Sequence, residues 1–198
     1  MTVIIPKPNK MSYDMPKSFR PIMLFNILGK LIEKVIGDKL QFHIISNNFI
    51  HQSQLGGLKF KSTMDASIVF THFIHIGWIK NISTSTLAFD IVQFFSSLNY
   101  QLLALILGKA GFDSCIVKFF LNYLINRKTH YFWNNFLSPS VDINVGVGQG
   151  LALSSILSAL YLTPFLYILE NYLRNLNLKN SILLFVDDGL LVSQSKSF

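Results

Sequence analysis

Two adjacent carboxylates, Asp187 and Asp188, interrupt an otherwise apolar run that reads SILLFVDDGLLVSQ over residues 181–194. Burial of a carboxylate is costly unless a partner compensates its charge, and two neighbouring like charges raise one pKa unless a cation lies between them. Ligand sets made only of oxygen favour Mg²⁺ over Zn²⁺. The pair therefore indicates a Mg²⁺ site, and the alternative is an exposed DDG turn without chemistry.

A third carboxylate, Asp90, ends the stretch STSTLAFD, whose alternation and β-branched residues predict a strand. The apolar segments ILLFV and LLVS flank DDG and predict a tight hairpin with Asp187 and Asp188 at its tip. One aspartate at a strand end, beside a hairpin that carries two, is the minimum set for a two-metal site. Two Mg²⁺ ions about 4 Å apart can activate a hydroxyl and stabilise a leaving pyrophosphate in phosphoryl transfer.

A glycine-rich segment, GVGQG at residues 146–150, precedes an apolar stretch that predicts a helix over roughly residues 151–172. A helix that starts from such a turn can approach a nucleotide or a nucleic-acid backbone closely. Residues 143–169 contain no Asp, Glu, Lys or Arg, and this length could span a bilayer. Their glycines, serines and proline favour a buried core helix, so we expect no stable membrane insertion.

The composition limits the class of protein. The 198 residues, 51% of them hydrophobic, suffice for one domain with a sizeable core, or for one domain and part of another. The single cysteine, Cys115, excludes an internal disulfide and a cysteine-based zinc site. The net charge of +7 fits an anionic partner such as nucleic acid, and it also fits a merely soluble basic protein.

The remaining patterns supply the elements that must position the carboxylates. Apolar residues at helical spacing predict an amphipathic helix within residues 22–44, with Lys30, Glu33 and Lys34 on its polar side. The other expected elements are a strand at Val3–Ile5, helices from near Thr63 and over about 97–110 and 115–126, and a strand pair within KTHYFW and SVDINVG.

Five stretches, in the same order over essentially the whole chain, resemble the reverse transcriptase domain of non-LTR (LINE-type) retrotransposons. They are VIIPKPNK with SFRPIMLFNILGKLIEKVI, QSQLGGLKFKSTMDA, FDIVQFFSSLN, GVGQGLALSSILSALYL and FVDD. The resemblance implies an α/β (α+β) fold: a right-hand polymerase palm with fingers, a mostly antiparallel sheet backed by helices, and a missing thumb. Within this domain fragment, residues of about 1–82 would be mainly fingers and residues of about 83–198 mainly palm.

The same resemblance implies an RNA-directed DNA polymerase, in which a primer 3′-hydroxyl attacks the α-phosphate of a nucleotide. Asp90, Asp187 and Asp188 would be its catalytic metal ligands, for Mg²⁺ or for Mn²⁺ as a substitute. The implied partners are an RNA template, a DNA primer and deoxynucleoside triphosphates. The implied location is intracellular, and nuclear if the host is eukaryotic.

Five further residues match family positions that contact the incoming nucleotide. Arg20 would hold the triphosphate with its rigid guanidinium fork, with Lys7 as a second cation. Phe95 would lie under the sugar and exclude a 2′-hydroxyl, and its alternative role is that of a core Phe. Gln149 and Gly150 would line the nucleotide and template pocket, and a plain turn at the start of a helix is the alternative.

Lys59 and Lys61 in GGLKFKST would contact the template backbone, or else they are solvated lysines. Asp65 also lies in a family motif, but its position at the start of a helix predicts a structural role. We therefore leave Asp65 outside the catalytic set.

Several residues depart from the family pattern. Gly148, Leu151, Ala152 and Ser155 replace the prolines and the serine that are usual around the Gln-Gly motif, which loosens a turn. The chain stops ten residues after Asp188, so we expect a truncated polymerase, without its thumb and other polyprotein regions, whose activity is open. The alternatives are a polymerase-dead remnant that still binds nucleic acid, a group II intron or retron reverse transcriptase, and a membrane-inserted apolar protein.

Overall fold

The computed structural model describes residues 1–175 and 179–196, and within them the chain forms nine strands and six α-helices. The strands are β1 (Thr2–Pro6), β2 (Phe19–Met23), β3 (Ser83–Asp90), β4 (Arg127–Thr129), β5 (Tyr131–Trp133), β6 (Phe136–Leu137), β7 (Val141–Ile143), β8 (Lys179–Phe185) and β9 (Asp188–Ser195). The helices are α1 (Ile27–Ser46), α2 (Thr63–Ile79), α3 (Phe94–Ser97), α4 (Tyr100–Lys109), α5 (Ser114–Leu124) and α6 (Ala152–Asn175).

The chain divides into two compact units, and each unit is built from two segments. The first unit comprises Met1–Lys39 and Gln93–Ser154, and the second unit comprises Leu40–Val92 and Ser155–Phe198. A division by compactness does not test a division by function. The predicted boundary between fingers and palm near residue 82 therefore stays a prediction.

In the first unit, four strands form a sheet in the order β2-β1-β5-β6. Strand β1 is antiparallel to β2 and parallel to β5, and β5 makes a tight antiparallel pair with β6. Asn134 and Asn135, the two residues between β5 and β6, both have positive φ, as a type I′ turn requires. The predicted pairing of KTHYFW with SVDINVG holds for β4 and β7, but β5 leaves that pair to join β1.

Helix α1 is present as predicted, and Lys30 and Lys34 of its polar side are exposed, but in the first unit the expected exposure of Glu33 and the expected burial of the apolar side are wrong. Ile27 and Leu31 are exposed, whereas Glu33 is only 3% exposed. Glu33 is buried because its carboxylate accepts hydrogen bonds from the Tyr123 hydroxyl and from the Ala152 N–H in the first turn of α6. The positive end of the α6 dipole favours a carboxylate at that place. Periodicity within α1 could not predict these partners, because both lie about 90 or more residues away.

In the second unit, β3, β9 and β8 form an antiparallel sheet with β9 in the centre, and helix α2 packs on β3 and β8. Leu184 of β8 and Val192 of β9 are fully buried. Helix α6 contributes Leu157, Leu160 and Leu166, which are buried to the same degree. The small antiparallel sheet predicted to carry Asp90 and the aspartate hairpin is therefore present.

Among the described residues, α6 is the one helix that is long and apolar enough to cross a membrane, with a mean hydropathy of 1.7. The core helix of a soluble protein has the same length and composition, so one such helix is weak evidence for a membrane span. More than half of the 18-residue window with this hydropathy, 56%, is buried within the chain. This burial favours the predicted core helix.

Candidate active site

The strand pairing in the second unit brings together two of the three predicted metal ligands. Asp90, the last residue of β3, lies directly opposite Asp188, the first residue of β9. Directly opposed residues of an antiparallel pair share one face of the sheet, with Cβ atoms about 5 Å apart. Both residues are exposed. The two carboxylates can therefore reach one cation from neighbouring strands.

Asp187 occupies the second position of the two-residue loop that joins β8 to β9. Its carbonyl oxygen accepts a hydrogen bond of 3.3 Å from the N–H of Ile91, which ties the loop to the residue after β3. The residue is half-buried, and this burial, followed by the charges of Asp188 and Asp90, raises the pKa of the Asp187 carboxyl. The charges of the three aspartates are therefore coupled, and a cation would relieve their repulsion.

The aspartates do not form a closed metal cage. Within the part of the chain that the structure describes, no group of three or more His, Cys, Asp or Glu side chains is arranged to hold a metal ion. Mg²⁺ does not need such a cage, because it keeps several waters and binds through one or two carboxylates and substrate phosphates. The opposed pair of carboxylates, with oxygen donors only, therefore fits Mg²⁺.

The glycine-rich segment forms a turn in the first unit that packs against Phe95. The Val147 N–H donates to the Phe95 carbonyl over 2.6 Å, and the Gly146 N–H donates to the Leu98 carbonyl over 3.0 Å. Gly146 has φ +78°, and a Cβ at this position would lie 2.6 Å from the Phe95 carbonyl oxygen. Glycine is therefore required at 146 both by the backbone angle and by the close approach.

The other side of the same turn contacts strand β2. The Met23 N–H donates to the Gln149 carbonyl over 2.9 Å, and a Cβ on Gly150 would lie 3.0 Å from the Ile22 side chain. The structure thus places Gln149 and Gly150 beside β2, and Phe95 against another part of the same turn. These are three of the five residues predicted to contact a nucleotide.

The two predicted phosphate-binding cations lie on the β1–β2 pair, away from the end of β2 that meets the turn. Arg20 is exposed and pairs with Ile5, and Lys7 follows β1, with its N–H donating to the Ser18 carbonyl over 2.8 Å. Arg20 precedes Met23 by three residues, a distance of about 10 Å along a strand. The two cations therefore lie near one end of the β1–β2 pair, and the glycine-rich turn lies beside its other end.

Two residues that the sequence analysis missed support the glycine-rich turn. The guanidinium of Arg127 donates to the Gly146 carbonyl and to the Tyr100 hydroxyl, which itself donates to that carbonyl over 2.8 Å. The Arg127 Cζ also lies 5.8 Å from the centroid of the Tyr100 ring. Neither residue belongs to a quoted motif, and Arg127 is 19 residues from Gly146, so no local pattern indicated these contacts.

Lys59 and Lys61 are exposed in the loop that precedes α2, and Phe60 between them is 98% exposed, with φ +62°. Helix α2 then begins with a capping box, in which the Ser62 hydroxyl accepts from the Asp65 N–H and the Asp65 carboxylate accepts from the Ser62 N–H. The hydrogen bonds from Ser62 lower the pKa of Asp65. The predicted structural role of Asp65 is confirmed.

The predicted site residues divide between the two units. The three aspartates and the two lysines belong to the second unit, and the five predicted nucleotide contacts belong to the first unit. Each set therefore has to be tested by its own substitutions.

The sequence matches the family described as "Reverse transcriptase (RNA-dependent DNA polymerase)" over residues 5–197. The match covers nearly the whole chain, so the chain belongs to the reverse transcriptase family. Members of this family generally use divalent metal ions, and the opposed aspartates are suited to bind such ions.

The chain is also similar to the Transposon TX1 uncharacterized 149 kDa protein of Xenopus laevis, with 24% identity over 192 residues. This similarity covers 94% of the chain and 14% of the transposon protein, so the chain spans a small part of that relative's length. This relative is a transposon protein, and the predicted affiliation with reverse transcriptases is confirmed.

Two solved telomerase structures share the fold. Apo telomerase from Candida tropicalis, truncated from the C-terminal domain, is 15% identical, with a TM-score of 0.61 over 89% of this chain and 41% of that chain. Telomerase from Candida albicans, in complex with the TWJ fragment of telomeric RNA, is 15% identical, with a TM-score of 0.58 over 89% of this chain and 36% of that chain. The predicted mixed fold of helices and largely antiparallel sheets is confirmed.

Proposed function

We propose that this chain is the nucleotidyl-transfer part of a retrotransposon reverse transcriptase, which copies RNA into DNA. The observation that carries the proposal is the opposition of Asp90 and Asp188 across β3 and β9 in a chain of the reverse transcriptase family. Like charges directly opposite each other on neighbouring strands destabilise a sheet. The cost of this arrangement supports a functional role for the two aspartates.

In this proposal Asp90, Asp187 and Asp188 hold divalent cations, Mg²⁺ or Mn²⁺. When bound, these cations supply the positive charge that favours ionisation of the primer 3′-hydroxyl and neutralises the departing pyrophosphate. Asp90 and Asp188 contribute carboxylate oxygens from adjacent strands, and the half-buried Asp187 contributes a carboxylate with less access to water. The hairpin and the end of β3 keep these oxygens on rigid backbone.

The nucleotide would be bound by the residues of the first unit. Arg20 and Lys7 neutralise the triphosphate, for which the planar guanidinium of Arg20 offers paired hydrogen bonds. Phe95 packs under the sugar and discriminates against a 2′-hydroxyl. Gln149 and Gly150 belong to the same turn that contacts Phe95 through Gly146 and Val147, and the absence of a side chain at Gly150 lets the backbone approach the nucleotide.

The nucleic-acid template would contact the loop before α2. Lys59 and Lys61 are exposed and neutralise backbone phosphates, and the fully exposed Phe60 offers a ring on which an unpaired base can stack. The net charge of +7 supports the same partner class.

The proposal is tested by RNA-templated primer extension with labelled deoxynucleotides in Mg²⁺ or Mn²⁺. We expect Asp188→Asn to lower incorporation by about 100-fold or more, since a metal site supplies several kcal/mol of transition-state stabilisation. The matched control is Asp142→Asn, because Asp142 is also an exposed strand aspartate, paired only with the exposed Lys128 among the described ion pairs. Incorporation that is equal in the wild-type chain and in Asp188→Asn contradicts the proposal.

A polymerase-dead remnant that binds nucleic acid is the second candidate, and the exposed Lys59-Phe60-Lys61 loop favours it. It predicts that neither the folded wild-type chain nor Asp188→Asn extends a primer. Binding of RNA would still fall as salt rises, and Lys59→Gln would lower the slope of that dependence by about 1.

A further inference from the structure

The loop of the aspartate hairpin has a backbone conformation that its own residues do not favour. Val186, the first of the two loop residues, has φ +63°. A β-branched side chain is a genuine outlier in this left-handed region, and hairpin loops with a positive φ at this position usually place glycine there. A contact from outside the hairpin must therefore hold the loop.

The side chain of Gln54 makes that contact. Its Oε1 accepts hydrogen bonds from the Val186 N–H over 3.1 Å and from the Gly56 N–H over 3.0 Å. Its Nε2 donates to the Val186 carbonyl over 3.3 Å. The single amide thus binds both backbone polar groups of the strained residue. Gln54 is 1% exposed, so water does not compete for these bonds.

The backbone around Gln54 is fixed against the same hairpin. The Leu55 N–H donates to the Leu184 carbonyl over 2.7 Å, and the Leu184 N–H donates to the Ser53 carbonyl over 2.8 Å, in a parallel bridge beside β8. A Cβ on Gly56 would lie 2.3 Å from the Val186 nitrogen, so glycine alone permits this approach. The segment around Gln54 is therefore held in place independently of its amide.

We propose that Gln54 is a positioning residue for the metal-binding aspartates. Its amide fixes the peptide groups on both sides of Val186, and thereby the direction in which Asp187 and Asp188 leave the loop. When these bonds are lost, the Val186 N–H and carbonyl have no buried partner and the loop relaxes to other conformations. The part of this inference that concerns the cation rests on the proposed function, and the part that concerns the loop does not.

A matched control lies in β9, near the end of this strand that is far from the hairpin loop. Gln194 of β9 is 3% exposed, and its Nε2 donates to the Phe73 carbonyl over 2.7 Å and to the Thr84 hydroxyl over 3.2 Å. It is thus a buried glutamine that crosslinks elements of the second unit without touching the loop. Gln54→Met removes three hydrogen bonds and Gln194→Met removes two, and both substitutions preserve the length of the side chain.

The first measurement is amide hydrogen exchange at Val186 in the metal-free chain. We expect Gln54→Met to accelerate this exchange by about 10-fold or more, because the amide loses its buried acceptor. Gln54→Glu keeps an acceptor for the Val186 N–H but cannot donate to its carbonyl, so its exchange should be intermediate. Gln194→Met should leave the rate within about twofold of the wild-type rate at equal global stability. Equal acceleration in the two methionine variants would show that Gln54 acts only through general stability.

The second measurement is Mn²⁺ affinity, by titration calorimetry or electron paramagnetic resonance. Loss of a residue that orients metal ligands typically lowers affinity by about 10- to 100-fold, and we expect this for Gln54→Met and not for Gln194→Met. Faster exchange at Val186 with unchanged Mn²⁺ affinity would overturn the positioning role. If the wild-type chain binds no Mn²⁺, the proposed function fails, and the exchange rate alone decides whether Gln54 holds the loop.

Discussion

The glycine-rich turn and the aspartate hairpin both carry positive φ angles beside predicted site residues, and they are held in different ways. In the glycine-rich turn of the first unit, Gly146 and Gly150 adopt φ +78° and +93°. In the aspartate hairpin of the second unit, Val186 adopts φ +63°. Glycine populates this region without steric cost, whereas a β-branched residue is strained there.

The two turns differ in which residues of the sequence determine their backbone conformation. The glycine-rich turn follows from its own residues, and the Arg127 and Tyr100 side chains only reinforce it. The hairpin loop depends on the amide of Gln54, which is 132 residues away from Val186. A substitution within the glycine-rich turn should therefore disrupt that turn, whereas a substitution of the distant Gln54 should disrupt the hairpin loop.

The largest expected effect is that of Gly146→Ala. The new Cβ would lie 2.6 Å from three backbone atoms of Phe95 and Ser96, at a φ that alanine rarely adopts. We expect a loss of about 3 kcal/mol or more in the free energy of unfolding, or failure to fold, measured by urea denaturation.

The control for this substitution is Gly108→Ala at the next-to-last residue of α4. A Cβ at Gly108 would meet nothing within 4 Å, and alanine favours helix, so we expect a gain of roughly 0.5–1 kcal/mol. Both substitutions replace glycine by alanine, and their expected effects on the free energy of unfolding have opposite signs. A tolerated Gly146→Ala would show that the turn is not specified by its own glycines.

The features that the sequence predicted are those with a local pattern. Alternation over residues 83–90 predicted β3, the apolar flanks of DDG predicted the hairpin, and the position of Asp65 predicted its place at the start of α2. Each of these patterns lies within about 20 residues, where periodicity and turn chemistry act.

The features that the sequence did not reveal depend on contacts between distant residues. Glu33 was predicted on the polar side of α1, but the Tyr123 hydroxyl and the start of α6 bury it. Gln54 belongs to a quoted motif, yet nothing in that motif indicates that its amide binds Val186. A buried hydrogen bond between residues 90 or more positions apart leaves no periodic pattern in the sequence.

The segment that carries Gln54 has a second attachment, through His51 to helix α6. His51, 2% exposed, accepts a hydrogen bond at Nδ1 from the Ser53 N–H over 3.2 Å. Its Nε2 then donates to Glu170 of α6 over 3.1 Å. The hydrogen bond from His51, assisted by the charge of Arg174, lowers the pKa of Glu170 below its ordinary 4.5.

An intermediate effect is therefore expected for Glu170→Gln, which weakens this attachment. Because the folded-state pKa of Glu170 is depressed, its stabilisation is fully present above pH 4.5 and is lost as pH falls through the lower folded-state pKa. We expect Glu170→Gln to lower the free energy of unfolding by about 1 kcal/mol at neutral pH, and by less at pH 3. Urea denaturation over this pH range measures the difference.

Arg174→Gln is the control for the attachment, because Arg174 is an exposed partner of the same carboxylate, at 3.0 Å. Its loss should cost about 0.5 kcal/mol or less. Glu170→Gln should also accelerate amide exchange at Val186 and leave exchange at Gly146 unchanged. A penalty for Glu170→Gln that is the same at pH 3 and pH 7 would contradict the role given to the His51 hydrogen bond.

The smallest expected effect concerns Val186→Gly. This substitution gives the hairpin loop the residue type that holds the positive φ angles of the glycine-rich turn. With glycine at 186 the positive φ carries no strain, so the loop should depend less on the amide of Gln54. We expect Gln54→Met to cost about 0.5–1 kcal/mol less in the Val186→Gly background than in the wild-type background, as measured by a double-mutant cycle. A coupling energy of zero would mean that the hydrogen bonds of Gln54 and the strain at Val186 act independently, and that other contacts hold Val186 at its positive φ.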